Sequence, residues 1–208
     1  MHLRSDSFPN GGPMPADYAF ASRGQPLEFG GNRSPHLAWR DAPVETRGFV
    51  ITCIDSDVPS RPDDVNKTDR EVPASLPRVE FAHWLMANVP PECGELGPGS
   101  CSDGVAVGGK QAPPGPPGVV QGRNDFTGWF AGDPRMAGNY LGYDGPCPPW
   151  NDSLVHHYHF TVHALDRLLA LEPGFDLAAL RAAMDGHVLA RAEWVGTYTL
   201  NDRLARRA

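Results

Sequence analysis

The segment that most limits how this chain can fold covers residues 143–165, YDGPCPPWNDSLVHHYHFTVHAL. From residue 156 its side chains alternate. His156, Tyr158, Phe160, Val162 and Ala164 fall on one side; His157, His159, Thr161 and His163 fall on the other. A strand turns successive side chains to opposite faces, so this period predicts a strand with Phe160 and Val162 in a core. His156 then starts on the inward side, directly after a Gly/Pro corner. Taken alone, such a histidine is more often a satisfied core-edge residue than part of a site. Other segments change that weighting.

Two more stretches carry polar groups on apolar faces. Residues 48–57, GFVITCIDSD, put Phe49, Ile51, Cys53, Asp55 and Asp57 on one face, and Val58-Pro59 ends the strand. Buried carboxylates are costly unless bonded or paired, so Asp55 and Asp57 belong where that strand leaves the core. Residues 79–89 line up Val79, Phe81, His83, Leu85, Ala87 and Val89 on one face. A final strand is predicted for residues 188–198. One clear helix is predicted for residues 175–185, with Asp176 as N-cap and Gly186 as terminator.

Glycine and proline, 23 and 22 of 208 residues, are spread without a period, which points to many turns and short strands. Residues 1–30 and 92–122 read as mostly loop, with one short strand near residues 27–29. Residues 61–78 read as a surface excursion. No signal sequence or membrane span is visible, so a soluble, cytoplasmic chain is expected. A net charge of −7 gives no general attraction for nucleic acid or an anionic membrane. The four cysteines are too few for a disulfide scaffold; reduced thiols are the default, with a Cys93–Cys101 bridge left open.

Asp55, Asp57, His83 and His156, brought together at strand ends beside a Gly-Pro loop, suggest a composed anion site. Partly protonated imidazoles and backbone N–H groups of a glycine turn would hold a phosphate-like dianion. The carboxylates would orient the imidazoles or accept backbone N–H bonds. Competing motifs are weaker. Residues 104–110 fit G-x-x-x-x-G-K, but Gln111 follows and the context is proline-rich loop, not helix. His157, His159 and His163 face outward with no glutamate at useful metal spacing; Asp55, His83 and His156 are the alternative zinc set. No cofactor or metal is expected. Ser100 and Ser153 lack a nucleophile elbow and read as loop serines, and Cys147 reads as packing.

Together, SPHLAW, DSDVP, HWLMANVP, NDF, GYDGPCPP, HHYHFTVHALD and GHVLARAEWVGTY, in that order, resemble the phosphatidylethanolamine-binding protein family, in its bacterial Raf-kinase-inhibitor-like branch. The resemblance implies a mainly β fold: a sandwich of two antiparallel sheets of Greek-key type with peripheral helices, one near the C-terminus. It also implies one domain over residues 1–208, with insertions near residues 61–78 and 128–141. The implied pocket takes phosphate, phosphorylated head groups or similar anions. Its residues would be Asp55, Asp57, His83, Gly145, Pro149, His156 and Tyr158. This chain departs from the family pattern at Ser56, Val58, Phe81 and His157. The expected function is non-enzymatic binding of a small anion. The alternatives are a hydrolase-like activity or an interaction protein inhibiting kinases or proteases. A homodimer is compatible with the sequence but not required by it.

Overall fold

The alternating stretches become the long strands of one sheet. The computed structural model describes residues 1–24 and 27–206. In chain order its strands are β1 (His2–Arg4), β2 (Gly12–Pro13), β3 (Ala21–Ser22), β4 (Glu28–Phe29), β5 (Leu37–Arg40), β6 (Gly48–Pro59), β7 (Arg78–Val89), β8 (Glu95–Leu96), β9 (Val120–Gln121), β10 (His156–Leu165) and β11 (Val188–Tyr198). The helices are α1 (Phe126–Trp129), α2 (Leu177–Met184) and α3 (Asp202–Ala205).

The chain is mainly β. A six-stranded sheet runs β2-β11-β10-β6-β7-β9; smaller sheets pair β1-β5-β8 and β3-β4. Within the large sheet, β10-β6-β7-β9 has the spatial order of a Greek key, the last strand returning beside the first. Its pairs are antiparallel; β2 beside β11 is parallel.

The sheet buries both faces. On one, Phe49, Ile51 and Cys53 of β6 meet Tyr158, Phe160 and Val162 of β10, with Leu37 and Trp39 of the smaller sheet across the core. On the other, Val50 and Leu85 pack against Leu180 and Met184 of α2. A fully buried side chain such as Phe160 contributes roughly 1.5–3 kcal/mol relative to exposure. The N-cap reading of α2 holds: the Asp176 carboxylate accepts the Ala179 N–H at 2.9 Å. No helix among the described residues is long and apolar enough to cross a membrane.

Several expectations need correction. Residues 79–89 do not keep one face. Cys53 pairs with Trp84 and Ile54 with Ala82, so His83 is an extra residue in β7. Past this bulge Trp84 and Met86 enter the first core and Leu85 and Ala87 the second. Val79, expected inside, is 46% exposed. A second irregularity, in β6 between Asp55 and Val58, separates Asp57 from Asp55. The N-terminal and 92–122 loops contribute β1–β3, β8 and β9, two or three residues each. All four cysteines are free, so Cys93 and Cys101 do not pair.

Candidate functional site

Where β6, β7 and β10 end, a cavity of about 360 Å³ opens. Asp55, His83 and His156 line its inner end, and Phe81, Phe126 and Trp129 form an aromatic wall. The loop after β6 contributes Arg61 and Asn66, and the Gly/Pro loop contributes Pro149. The volume falls in the usual range for small-molecule sites, about 300–1,000 Å³.

His156 is fully buried and both its ring nitrogens are engaged. Nδ1 lies 2.7 Å from Asp55 Oδ2, and Nε2 lies 3.1 Å from Asp152 Oδ2. Burial, the largest single influence, opposes its charge, but the two carboxylates together outweigh burial and raise its pKa to about 9. Arg78 grips the same Asp152 with two bonds, 2.6 and 3.0 Å long. The result is a chain of two cations and two carboxylates, Asp55–His156–Asp152–Arg78. Because each imidazolium N–H already points at a carboxylate, His156 has none left for a ligand.

His83 differs in kind. Its Nδ1–H donates to the Asp144 carbonyl at 2.8 Å, which leaves Nε2 uncommitted. Burial lowers its pKa, against opposing contributions from Asp55 and Asp144. His83 is therefore neutral near neutral pH, with a lone pair on Nε2. Asp144 is itself held by Asn32 at 2.7 Å, Asn124 at 2.9 Å and Lys110 at 2.6 Å. The Lys110 amine thus belongs to a buried ion pair, not to a phosphate loop.

The remaining expected site residues are placed as follows. Asp57 accepts both the backbone N–H and Nδ1 of His157, 2.8 and 2.9 Å away, and lies outside the cavity lining. The β6 irregularity turns it there. Gly145 donates its N–H to Asn32 Oδ1 at 2.8 Å, so that group is not free for an anion. A Cβ at Gly145 would stand 2.1 Å from the Tyr18 carbonyl oxygen, so glycine is required there for close packing. Pro149 lines the cavity. Tyr158 is buried beside His83, ring centroids 5.2 Å apart, and its hydroxyl has no hydrogen-bond partner among the described residues.

The sequence profile of the phosphatidylethanolamine-binding proteins matches residues 4–199. The chain belongs to the phosphatidylethanolamine-binding protein family. A UPF0098 protein of Methanothermobacter thermautotrophicus is 32% identical over 198 residues, covering 95% of this chain and 98% of that protein. The UPF0098 protein YbhB of Escherichia coli is 34% identical over 166 residues, 80% of this chain and 78% of YbhB. The crystal structure of E. coli YbcL superposes with a TM-score of 0.66 at 27% identity, covering 95% of this chain and 97% of YbcL.

In this member of the phosphatidylethanolamine-binding protein family, sequence reading missed three residues that organise the cavity: Asp144, Asp152 and Arg78. The two carboxylates lie inside the 143–165 segment already singled out. A loop has no period, so nothing in the pattern separated them from turn residues. One signal was available: Asp152 sits four residues before His156, just past a rigid Pro-Pro corner.

Proposed function

We propose that the cavity binds a small phosphomonoester, or a similar oxyanion that carries a proton, and binds it without turning it over. The observation that carries this reading is the bonding of His83. Its Nδ1–H is committed to a carbonyl, so Nε2 is the ligand-facing nitrogen. Nε2 can accept a P–OH hydrogen, or take up a proton and donate to a dianion. Arg61 adds a cation at the loop side. The aromatic wall suits an apolar or aromatic substituent on the phosphate.

Two observations favour binding over catalysis in this cavity. The Cys147 thiol is pushed up to about 12 by burial, so it does not supply a thiolate nucleophile at neutral pH. His156, with both nitrogens engaged, does not present a free lone pair to act as a base.

Calorimetric titration with phenyl phosphate tests the reading. Binding should tighten as pH falls from about 7.5 to about 5.5, with uptake of up to one proton measured across buffers of different ionisation heat. His83→Gln should abolish the proton uptake. No binding, or binding of equal strength at both pH values with no proton taken up, would contradict it.

A further inference from the structure

A second groove lies on the opposite face of the large sheet, between β6, β10, β11 and α2, with a volume of about 550 Å³. It is separate from the cavity described above. Its floor carries a polar line that crosses three adjacent strands. Ser56 Oγ of β6 lies 3.3 Å from His159 Nε2 of β10. His159 Nδ1 lies 3.2 Å from Glu193 Oε2 of β11.

A carboxylate oxygen 3.2 Å from Nδ1 favours a proton on that nitrogen, which puts the Nε2 lone pair towards the serine hydroxyl. That is the tautomer a general base needs to draw a proton from Oγ. Both separations fit the somewhat long contacts of an unliganded nucleophile–base–acid set. The arrangement follows from register. His159 stands opposite Ile54 on one side and Val195 on the other. Ser56 and Glu193 are each two residues along from those partners, on the same face. Ser56 also lies 3.4 Å from Asp57 Oδ2, a second acceptor for its proton.

We propose that this groove hydrolyses small carboxylic esters, with Ser56 as nucleophile, His159 as general base and Glu193 as the residue that positions His159. Ser56 Oγ forms a bond to the ester carbonyl carbon while His159 Nε2 takes its proton. The alcohol leaves with that proton as the carbon–oxygen bond breaks, giving an acyl-serine. Water then attacks the acyl carbon, His159 takes a proton from it and returns one to Oγ, and the carboxylic acid is released. No oxidant, reductant or metal enters the balance. Ile54, Leu177 and Ala192 line the groove and suit a short apolar acyl chain. Arg191 lines it too and supplies positive charge for the developing oxyanion.

The test is covalent labelling with a fluorophosphonate, located by peptide mass spectrometry, together with hydrolysis of para-nitrophenyl butyrate. We expect the label on Ser56 in folded protein and not in urea-unfolded protein. His159→Gln should slow labelling about 100-fold. Glu193→Gln should slow it less, and should add nothing further in the His159→Gln background, because Glu193 acts only through His159. All three positions are on the sheet surface, and circular dichroism checks that each variant folds. An unlabelled Ser56, labelling equally fast in His159→Gln, or a Glu193→Gln effect of the same size with and without His159 overturns the proposal.

Discussion

The two buried histidines of the cavity titrate on opposite sides of the ordinary value of 6.5. For His156 the folded pKa is raised to about 9. Its contribution to stability is therefore complete below 6.5 and is lost as pH rises through about 9. That shift corresponds to a few kcal/mol, about 3. Unfolding in urea at successive pH values should show this alkaline decline. Asp152→Asn should lower stability by about 3 kcal/mol at neutral pH, since Arg78 and His156 both lose a buried carboxylate. The same variant should flatten the decline between pH 6.5 and about 9, a result that plain misfolding would not produce. His83 has the reverse sign: its depressed pKa makes folding less favourable as pH falls below 6.5. At this scale the sequence was informative about burial and less so about bonding. Alternation along β10 placed His156 inside. It could not say that Asp55 and Asp152 would consume both ring nitrogens, because Asp152 lies in a loop without periodicity.

At the scale of elements, the strands were legible wherever the period ran unbroken. β10 and β11 follow their patterns, and the α2 boundaries follow from a cap at each end. Replacing Asp176 with Ala should cost about 1 kcal/mol, read from the urea midpoint, because one helix N–H loses its acceptor. The pattern failed at bulges. One extra residue at His83 flips the side chains of Trp84 to Ala87, a further register shift returns Val89 to the first core, and the β6 irregularity sends Asp57 towards His157. Neither leaves a mark in composition, since any residue can occupy a bulge. The 61–78 loop read as a surface excursion, yet it is pinned from beneath. The Asn151 amide donates to the carbonyls of Asp64, Lys67 and Arg70 at 2.8, 3.1 and 2.8 Å. This loop also walls the cavity through Arg61 and Asn66. Asn151→Ala should speed amide hydrogen exchange across residues 64–70 by about tenfold or more while leaving β10 protected.

Across the whole molecule, the large sheet separates two chemistries. Its strand ends and one face enclose an acid–imidazole cavity; its other face carries α2 and an open groove. The Greek-key order matters because it brings β10 beside β6, so that residues about a hundred positions apart in sequence, Asp55 and His156, share a hydrogen bond. Membership of the phosphatidylethanolamine-binding protein family and the mainly β fold were legible because seven short segments recur in a fixed order. The chemistry of the cavity was only partly so. Expectation placed two partly protonated imidazoles and the backbone N–H groups of a glycine turn around an anion. The structure instead commits His156 and Gly145 internally and leaves His83 as the one uncommitted imidazole in the cavity lining. The most direct measurement is histidine NMR with phosphate added near pH 6.5, followed by pH titrations with and without saturating phosphate. The His83 ring resonances should move and their apparent pKa should rise on binding, while those of His156 keep a pKa near 9. Resonances of His83 that stay in place at saturating phosphate would contradict the proposed ligand site.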